Sequence, residues 1–244
     1  MASEDSNIIN VFIPCQMDMF QTNTAFSVME VLSKLNIHCQ YMDEQTCCGR
    51  RLFMEGDMDS AKTLATQVVD QLGTVQMIVI PDSSCAGFMR SYYRSMLVNT
   101  FQSTELTKFK NHIFELCDYI VNIRKVECLG NTFCHRVYYF KSCSARNLYP
   151  QNDAAEILLR NTAGLDLETD NDYHGCCGAH GRFPNSNPQA AEKMALDILN
   201  KAYNSGSRII TSTDIHCLQM LDAYATKHGI DIDVMHIADI LNGE

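Results

Sequence analysis

The sequence is short of positive charge: 19 Lys and Arg stand against 29 Asp and Glu, a formal net charge of −10. So acidic a chain lacks the basic footprint that a phosphate backbone or an anionic lipid surface requires, and nucleic acid is not an expected partner. It has no apolar stretch near the ~20 residues of a membrane span, and Met1-Ala2-Ser3-Glu4-Asp5-Ser6 puts two acids where a signal peptide carries a basic segment. A cytoplasmic protein with no transmembrane segment is expected. Nucleotide and flavin loops are missing as well, since neither Gly-x-Gly-x-x-Gly nor Gly-x-x-x-x-Gly-Lys-Ser/Thr occurs. Proline and glycine are few, 5 and 12, while 46% of residues are hydrophobic, which excludes disordered and collagen-like chains. At 244 residues the chain can bury a real core as one large domain or two small ones.

What it does have is cysteine, 12 residues in all. That share is high for a reducing compartment yet below the ~8–10% of a small disulfide scaffold, so metal or redox chemistry is the expectation. Eight of the cysteines fall into two matched sets: Cys15, Cys47-Cys48 and Cys85, then Cys143, Cys176-Cys177 and Cys217. The intervals are 31 and 36 residues in the first set and 32 and 39 in the second. Each doublet is followed by glycine, Gly49 or Gly178, so the chain reads as an internal duplication.

The surroundings repeat too. Apolar, β-branched or aromatic runs end near a cysteine at Val11–Cys15, Met77–Ile80, Val137–Cys143 and Arg208–Thr211, and these read as buried strands. Helical patterns follow, as at Thr24–Leu32 and Ala190–Leu199. Glu115–Asn122 and Met235–Asn242 end the two units alike. The unit boundary is placed near Thr132, with Asn99–Lys110 and Asn122–Cys134 left open between loop and helix. Alternating strand and helix predicts an α/β fold of two similar Rossmann-like halves with parallel sheets, divided into residues 1–131 and 132–244. In such sheets the carboxyl ends of the strands form the ligand crevice, which would gather the distant thiols on one rim beside helix N-termini.

Four thiolates per unit match a structural zinc or an iron–sulfur cluster, because soft sulfur donors select those metals. Zinc ribbons show two tight Cys-x2-Cys hooks and this chain has none, which favours iron. Phe12–Phe20, Gln45-Thr46-Cys47-Cys48-Gly49, Ser212–Cys217 and Val234–Leu241 then resemble the CCG cysteine-rich family, and within it the lactate-utilization A group. More distantly they are similar to the cysteine-rich subunit of heterodisulfide reductase and to the iron–sulfur subunits of glycolate and glycerol-3-phosphate oxidation. The resemblance implies one or two iron–sulfur clusters, most simply 4Fe–4S, on Cys15, Cys47, Cys48, Cys85, Cys143, Cys176, Cys177 and Cys217. It implies an electron-transfer subunit of a multi-protein complex oxidising L-lactate or a related 2-hydroxy acid to pyruvate. Such a chain would be inactive alone, with partner subunits, an acceptor such as quinone, and contact with the inner face of the membrane only through partners.

The match departs from the family where heterodisulfide-type domains end in Cys-x-x-Cys: here Phe88 and Met220 take the last place, leaving four thiols per half. After the second doublet come Ala179 and His180, and Lys141-Ser142 precede Cys143. Gly49, Gly178, Arg50, His180 and His216 are expected beside the ligands, with Arg51, His174 and Arg182 close by in sequence. Arginine there can offset cluster charge or hold a carboxylate. Cys39, Cys117, Cys128 and Cys134 have no repeated partners and read as plain thiols. Two other classes remain open: a heterodisulfide or thiol–disulfide reductase, and a zinc-stabilised module without catalysis.

Overall fold

A computed structural model describes residues 8–42, 44–73, 77–150, 153–170 and 175–243; His174 lies outside them. Each half is a four-stranded, all-parallel sheet. The first runs β1 (Ile8–Val11), α1 (Cys15–Phe20), α2 (Thr22–Lys34), β2 (His38–Tyr41), α3 (Arg50–Glu55), α4 (Met58–Leu72), β3 (Ile78–Ile80), α5 (Ser83–Leu97), α6 (Ser103–His112) and β4 (Ile113–Glu115). α7 (Leu116–Asp118) and a π-helical turn (Tyr119–Ile123) follow. The second half runs β5 (Arg136–Tyr139), α8 (Cys143–Asn147), α9 (Ala154–Arg160), β6 (Asp166–Thr169), α10 (Phe183–Ser186), α11 (Pro188–Asn204), β7 (Ile209–Ser212), α12 (Ile215–His228), β8 (Asp233–His236) and α13 (Ile237–Leu241).

The sheet orders are β2-β1-β3-β4 and β6-β5-β7-β8, the same order twice. In both, the chain leaves the first strand for one edge and returns to build the other. The crevice of such a sheet opens between its two central strands, β1 and β3 or β5 and β7. β3 and β7 are buried along their whole length, as strands covered on both faces must be. The edge strands β2 and β6 are half exposed and mix polar with apolar residues, so no apolar run announces them.

The structure decides between loop and helix where the sequence left both open. Much of Asn99–Lys110 is helix, as α6. Its apolar face is narrow, with Leu106 and Phe109 buried three residues apart. Its start is fixed by Glu105, whose carboxylate accepts from the Gln102 N–H at 2.9 Å, an arrangement that ends a helix without a Ser, Thr or Asp cap. Residues 124–135 are irregular apart from a bridge between Thr132 and Ala163.

The halves share one core. A single apolar cluster includes Ile9, Val11 and Val79 of the first sheet with Val137, Tyr139 and Ile209 of the second. α13 packs on α2, and Thr24 Oγ1 donates to Asp239 Oδ2 at 2.9 Å. Tyr149 reaches across to accept from the Glu115 N–H at 3.1 Å and to donate to Asp118 at 2.7 Å. α5 and α8 press together at Gly87, where an added Cβ would lie 2.7 Å from the Leu148 Cβ. Only glycine permits that approach.

Candidate metal centre

The sheet topology sets where the thiols go. Cys15 opens α1 after β1, Cys85 lies in the first turn of α5 after β3, and Cys47-Cys48 fill the connection from β2 to α3. In the second half Cys143 opens α8, Cys217 lies in the first turn of α12, and Cys176-Cys177 sit between β6 and α10. All eight therefore stand at strand carboxyl ends. The Sγ atoms of Cys15 and Cys47 are 3.4 Å apart, as are those of Cys48 and Cys85. In the other half Cys143 meets Cys176 at 3.8 Å and Cys177 meets Cys217 at 2.6 Å. Each half thus gathers its four thiols as two touching pairs joined through the doublet. Cys48, Cys85, Cys177 and Cys217 are buried, while Cys15, Cys47, Cys143 and Cys176 are partly open.

Local backbone holds this arrangement. Gly49 and Gly178 adopt φ of +81° and +79°, in the left-handed region open to glycine. A Cβ on Gly49 would lie 3.0 Å from the Ala61 carbonyl of α4, and one on Gly178 would lie 3.1 Å from Ala191 Cα of α11. Each turn leans on a long helix and aims its own N–H at sulfur, the Gly178 N–H reaching Cys176 Sγ at 3.4 Å. The first doublet loop is also tied down by Gln45, whose Oε1 accepts from the Ile13 N–H at 3.0 Å. The second is tied by Arg146, which donates to the Gly175 carbonyl at 2.6 Å. Tyr93 donates to the Cys48 carbonyl at 2.8 Å.

Electrostatically the pairs are unequal. Cys47 is held down at about 2 by hydrogen bonds from the Cys15 and Cys48 thiols and by the Gly49 N–H, against burial. Cys176 is held down at about 2 by Cys143, Cys177 and the Gly178 N–H. Cys15 is pushed far up by its bond to Cys47 and by burial, and Cys143 likewise by Cys176. One thiolate per half is thus supported by its neighbours' protons. Four together would need a cation among them. Four convergent soft donors fit a thiolate-ligated metal centre in each half.

Between the two sets lies a charged cluster that sequence reading found only in part. Asp82 and Asp214, each three residues before a cysteine, cap α5 and α12. Asp82 Oδ1 accepts from the Cys85 N–H at 2.6 Å and from Ser84 Oγ at 2.5 Å, and its Oδ2 accepts from the Ile215 N–H of the other half at 2.9 Å. Asp214 Oδ1 accepts from the Cys217 N–H at 3.3 Å. Ser83 and Thr213 join the same seam, the Ser83 N–H meeting the Thr213 carbonyl at 2.9 Å. The shared Asp-x-x-Cys spacing was a readable helix-start signal.

Arg50 and His180 meet here. Arg50 Nη1 lies 2.8 Å from His180 Nδ1, and a guanidinium can only donate, so Nδ1 accepts and the ring proton sits on Nε2. That Nε2–H faces Asp214 Oδ2 at 3.5 Å. Burial and the Arg50 charge oppose charging the ring, but Asp214 outweighs them and raises it to about 10, so the Nε2 proton is firmly held. His180, Asp214 and Cys217 present metal-capable atoms within 4.8 Å of one another. A metal on Nε2 would displace the proton that Arg50 fixes there and leave an imidazolate, so the thiol sets are the better holders. His216 packs beside His180, 5.3 Å between ring centres, and contacts Ser84 Oγ at 3.5 Å; burial lowers its proton affinity. Arg182 is exposed. Cys117 is buried in the core, while Cys128 and Cys134 are exposed.

Two stretches, residues 9–90 and 137–222, match the family model described as a cysteine-rich domain, CCG. Lactate utilization protein A of Bacillus licheniformis is 27% identical over 234 residues, spanning 96% of this chain and 98% of that protein. The protein of the same name from Bacillus cytotoxicus matches with the same identity and coverage. Among solved structures, a glutamate racemase of Bacillus anthracis covers 97% of this chain and 79% of its own, with 11% identity and a TM-score of 0.39.

Proposed function

The chain belongs to the cysteine-rich CCG domain family, and from that premise we propose that it is an iron–sulfur electron-transfer subunit of a complex oxidising L-lactate, or a related 2-hydroxy acid, to pyruvate. The observation that carries this reading is the convergence of four thiols in each half at the carboxyl ends of the sheets. The lactate assignment rests on the relatives' names. Each unit, residues 1–131 and 132–244, would contribute one four-thiol site: Cys15, Cys47, Cys48 and Cys85, and Cys143, Cys176, Cys177 and Cys217.

An iron–sulfur centre supplies one-electron transfer at a potential set by hydrogen bonds and burial. The chain's own residues do the rest. Asp82 and Asp214 fix the first turns that carry Cys85 and Cys217. The Gly49 and Gly178 N–H groups soften negative charge on Cys47 and Cys176, as do the helix N-termini. Burial of Cys48, Cys85, Cys177 and Cys217 excludes water from the inner side, and the partly open outer thiols face a docking partner. Other subunits would remove electrons from the hydroxy acid, and an acceptor such as quinone would take them up.

Anaerobic purification with iron, sulfide and zinc quantitation tests this. About four iron and four sulfide per occupied set are expected, with a visible band that bleaches on dithionite. No iron or sulfide after reconstitution would overturn the reading. Zinc is a second reading with an observation of its own: three of the four thiol pairs, 3.4, 3.4 and 3.8 Å apart, lie near the ~3.8 Å edge of a tetrahedral site with ~2.3 Å zinc–sulfur bonds, and Cys177–Cys217 at 2.6 Å is the exception. Stoichiometric zinc without sulfide would establish it instead.

A further inference from the structure

Between the halves, where Arg50 meets His180, is a cavity of about 330 Å³ whose lining reverses the charge balance of the molecule. The chain carries 29 acids against 19 bases, yet among the described residues no Asp or Glu lines this space. Arg50, Arg51, His216, Gln16, Asn185 and Gln219 do. Every one of them can donate a hydrogen bond.

Arg50 is 6% exposed, and among the described residues its one hydrogen-bond partner is His180. A guanidinium has five N–H donors in a planar fork. Asp214 and Asp82 balance its charge through space without taking up those donors. A buried fork with open donors, lining a cavity, is matched by a planar two-oxygen acceptor, the carboxylate. Arg51, whose ion pair among the described residues is with Glu55 of its own helix at 3.0 Å, brings a second cation to the lining. Gln219 Nε2 donates one N–H to the Gln16 carbonyl at 3.5 Å and has a second to offer, so with the Asn185 amide it suits a neutral oxygen next to the carboxylate. Arg50 and His180 also border the neighbouring cavity, about 380 Å³, but there Met54, Leu148, Phe183 and Met194 make the wall mostly apolar, and Arg51, Gln219 and Asn185 are not part of it.

We infer that the Arg50 cavity binds a short 2-hydroxy or 2-oxo carboxylic acid, its carboxylate on the open donors of Arg50 and its hydroxyl or oxo oxygen on the amides of Gln219 and Asn185. This deepens the proposed function, on which the choice of acid rests: the chain itself holds the hydroxy acid or its oxidised product at the seam between the halves.

The test is calorimetric titration of the anaerobically purified full chain with L-lactate, pyruvate, L-lactamide and inorganic phosphate, with iron and sulfide measured on the same sample. Saturable one-site binding of lactate or pyruvate is expected, about tenfold or more tighter than the neutral lactamide. Arg50→Lys, which keeps charge and loses the fork, should weaken it about tenfold, and Arg51→Gln and Gln219→Leu about threefold each. Met194→Ala, in the apolar cavity, should leave it unchanged. If Arg50→Lys does not fold, the other two variants carry the test. No binding of either acid, or equal binding of lactamide or phosphate, overturns the proposal. Binding in a sample that holds no iron or sulfide even after reconstitution overturns the electron-transfer reading and leaves the pocket standing; a loaded sample that binds neither acid does the reverse.

Discussion

The first half and the second half repeat one strand order and one placement of four thiols, and they differ where those thiols approach the seam between them. After Gly49 the first doublet runs straight into α3 and delivers Arg50; after Gly178 the second runs through Ala179 and His180 before a single short turn of helix. Asp82 caps helices in both halves, whereas Asp214 caps its own and turns its other oxygen to His180. Arg50 and His180 border two cavities at the seam: the polar one touches none of the eight thiols, whereas the apolar one is lined by Cys143 and Cys176 of the second set. What the duplication retains is the means of gathering sulfur. What it varies is what can come near that sulfur, so two similar sites can serve different neighbours.

The largest test of this comparison removes one set at a time. Cys47→Ser with Cys48→Ser should eliminate the first centre and leave the second, halving bound iron if both are loaded, and Cys176→Ser with Cys177→Ser should do the converse. Unequal losses would show that one set carries most of the metal.

Next come the two caps. Asp82→Ala strips acceptors from two buried helix N–H groups and one hydroxyl, and should cost about 3–4 kcal/mol in urea unfolding. Asp214→Asn keeps the acceptor for Cys217 and should cost about 1–2 kcal/mol. Equal costs would mean that the seam is held evenly from both sides.

A third contrast lies in Glu115 and His236, which cap α7 and α13 at matching positions. Glu115 is fully buried, and burial raises it to about 8 against an ordinary 4.5. Below pH 4.5 both states are protonated; as pH rises through 8 the folded state gives up its bound proton last, so stability falls across that interval. Burial lowers His236 below its ordinary 6.5, so its contribution is lost in the other direction, as pH drops below 6.5. Glu115→Gln should flatten the alkaline fall by about 3 kcal/mol, and His236→Asn the acid one by less, read from urea midpoints between pH 5 and 9.

The smallest expected effect is at the turns. Gly49→Ala and Gly178→Ala place a Cβ against α4 and α11 at unfavourable φ and should each cost about 1–2 kcal/mol. Each should also lower metal retention in its own half alone.

Much of this was legible. The paired cysteine sets, the strands leading to them and the long helices α2 and α11 follow from apolar periodicity and spacing. The edge strands β2 and β6 were not, because half-exposed strands such as His38-Cys39-Gln40-Tyr41 carry no apolar run. Nor was α6, whose buried face is only Leu106 and Phe109. Within the site, Arg50, His180 and His216 stood out because they neighbour cysteines. Their meeting across the seam depends on how α5 packs on α8 at Gly87, a contact between residues far apart in sequence. Asp82 was legible as a helix cap, but its second duty to Ile215 belongs to the tertiary structure alone.

The return of α13 onto α2 has a further consequence. Thr24 bonds Asp239, and Lys34 donates to the Asn242 carbonyl at 2.8 Å. A surface begun by α2 is thus finished by residues that leave the ribosome 208 codons after Lys34. During synthesis the amino-terminal half would wait for α13 with part of α2 uncovered, and a chain interrupted before α13 would present a protease with exposed sites in both halves at once.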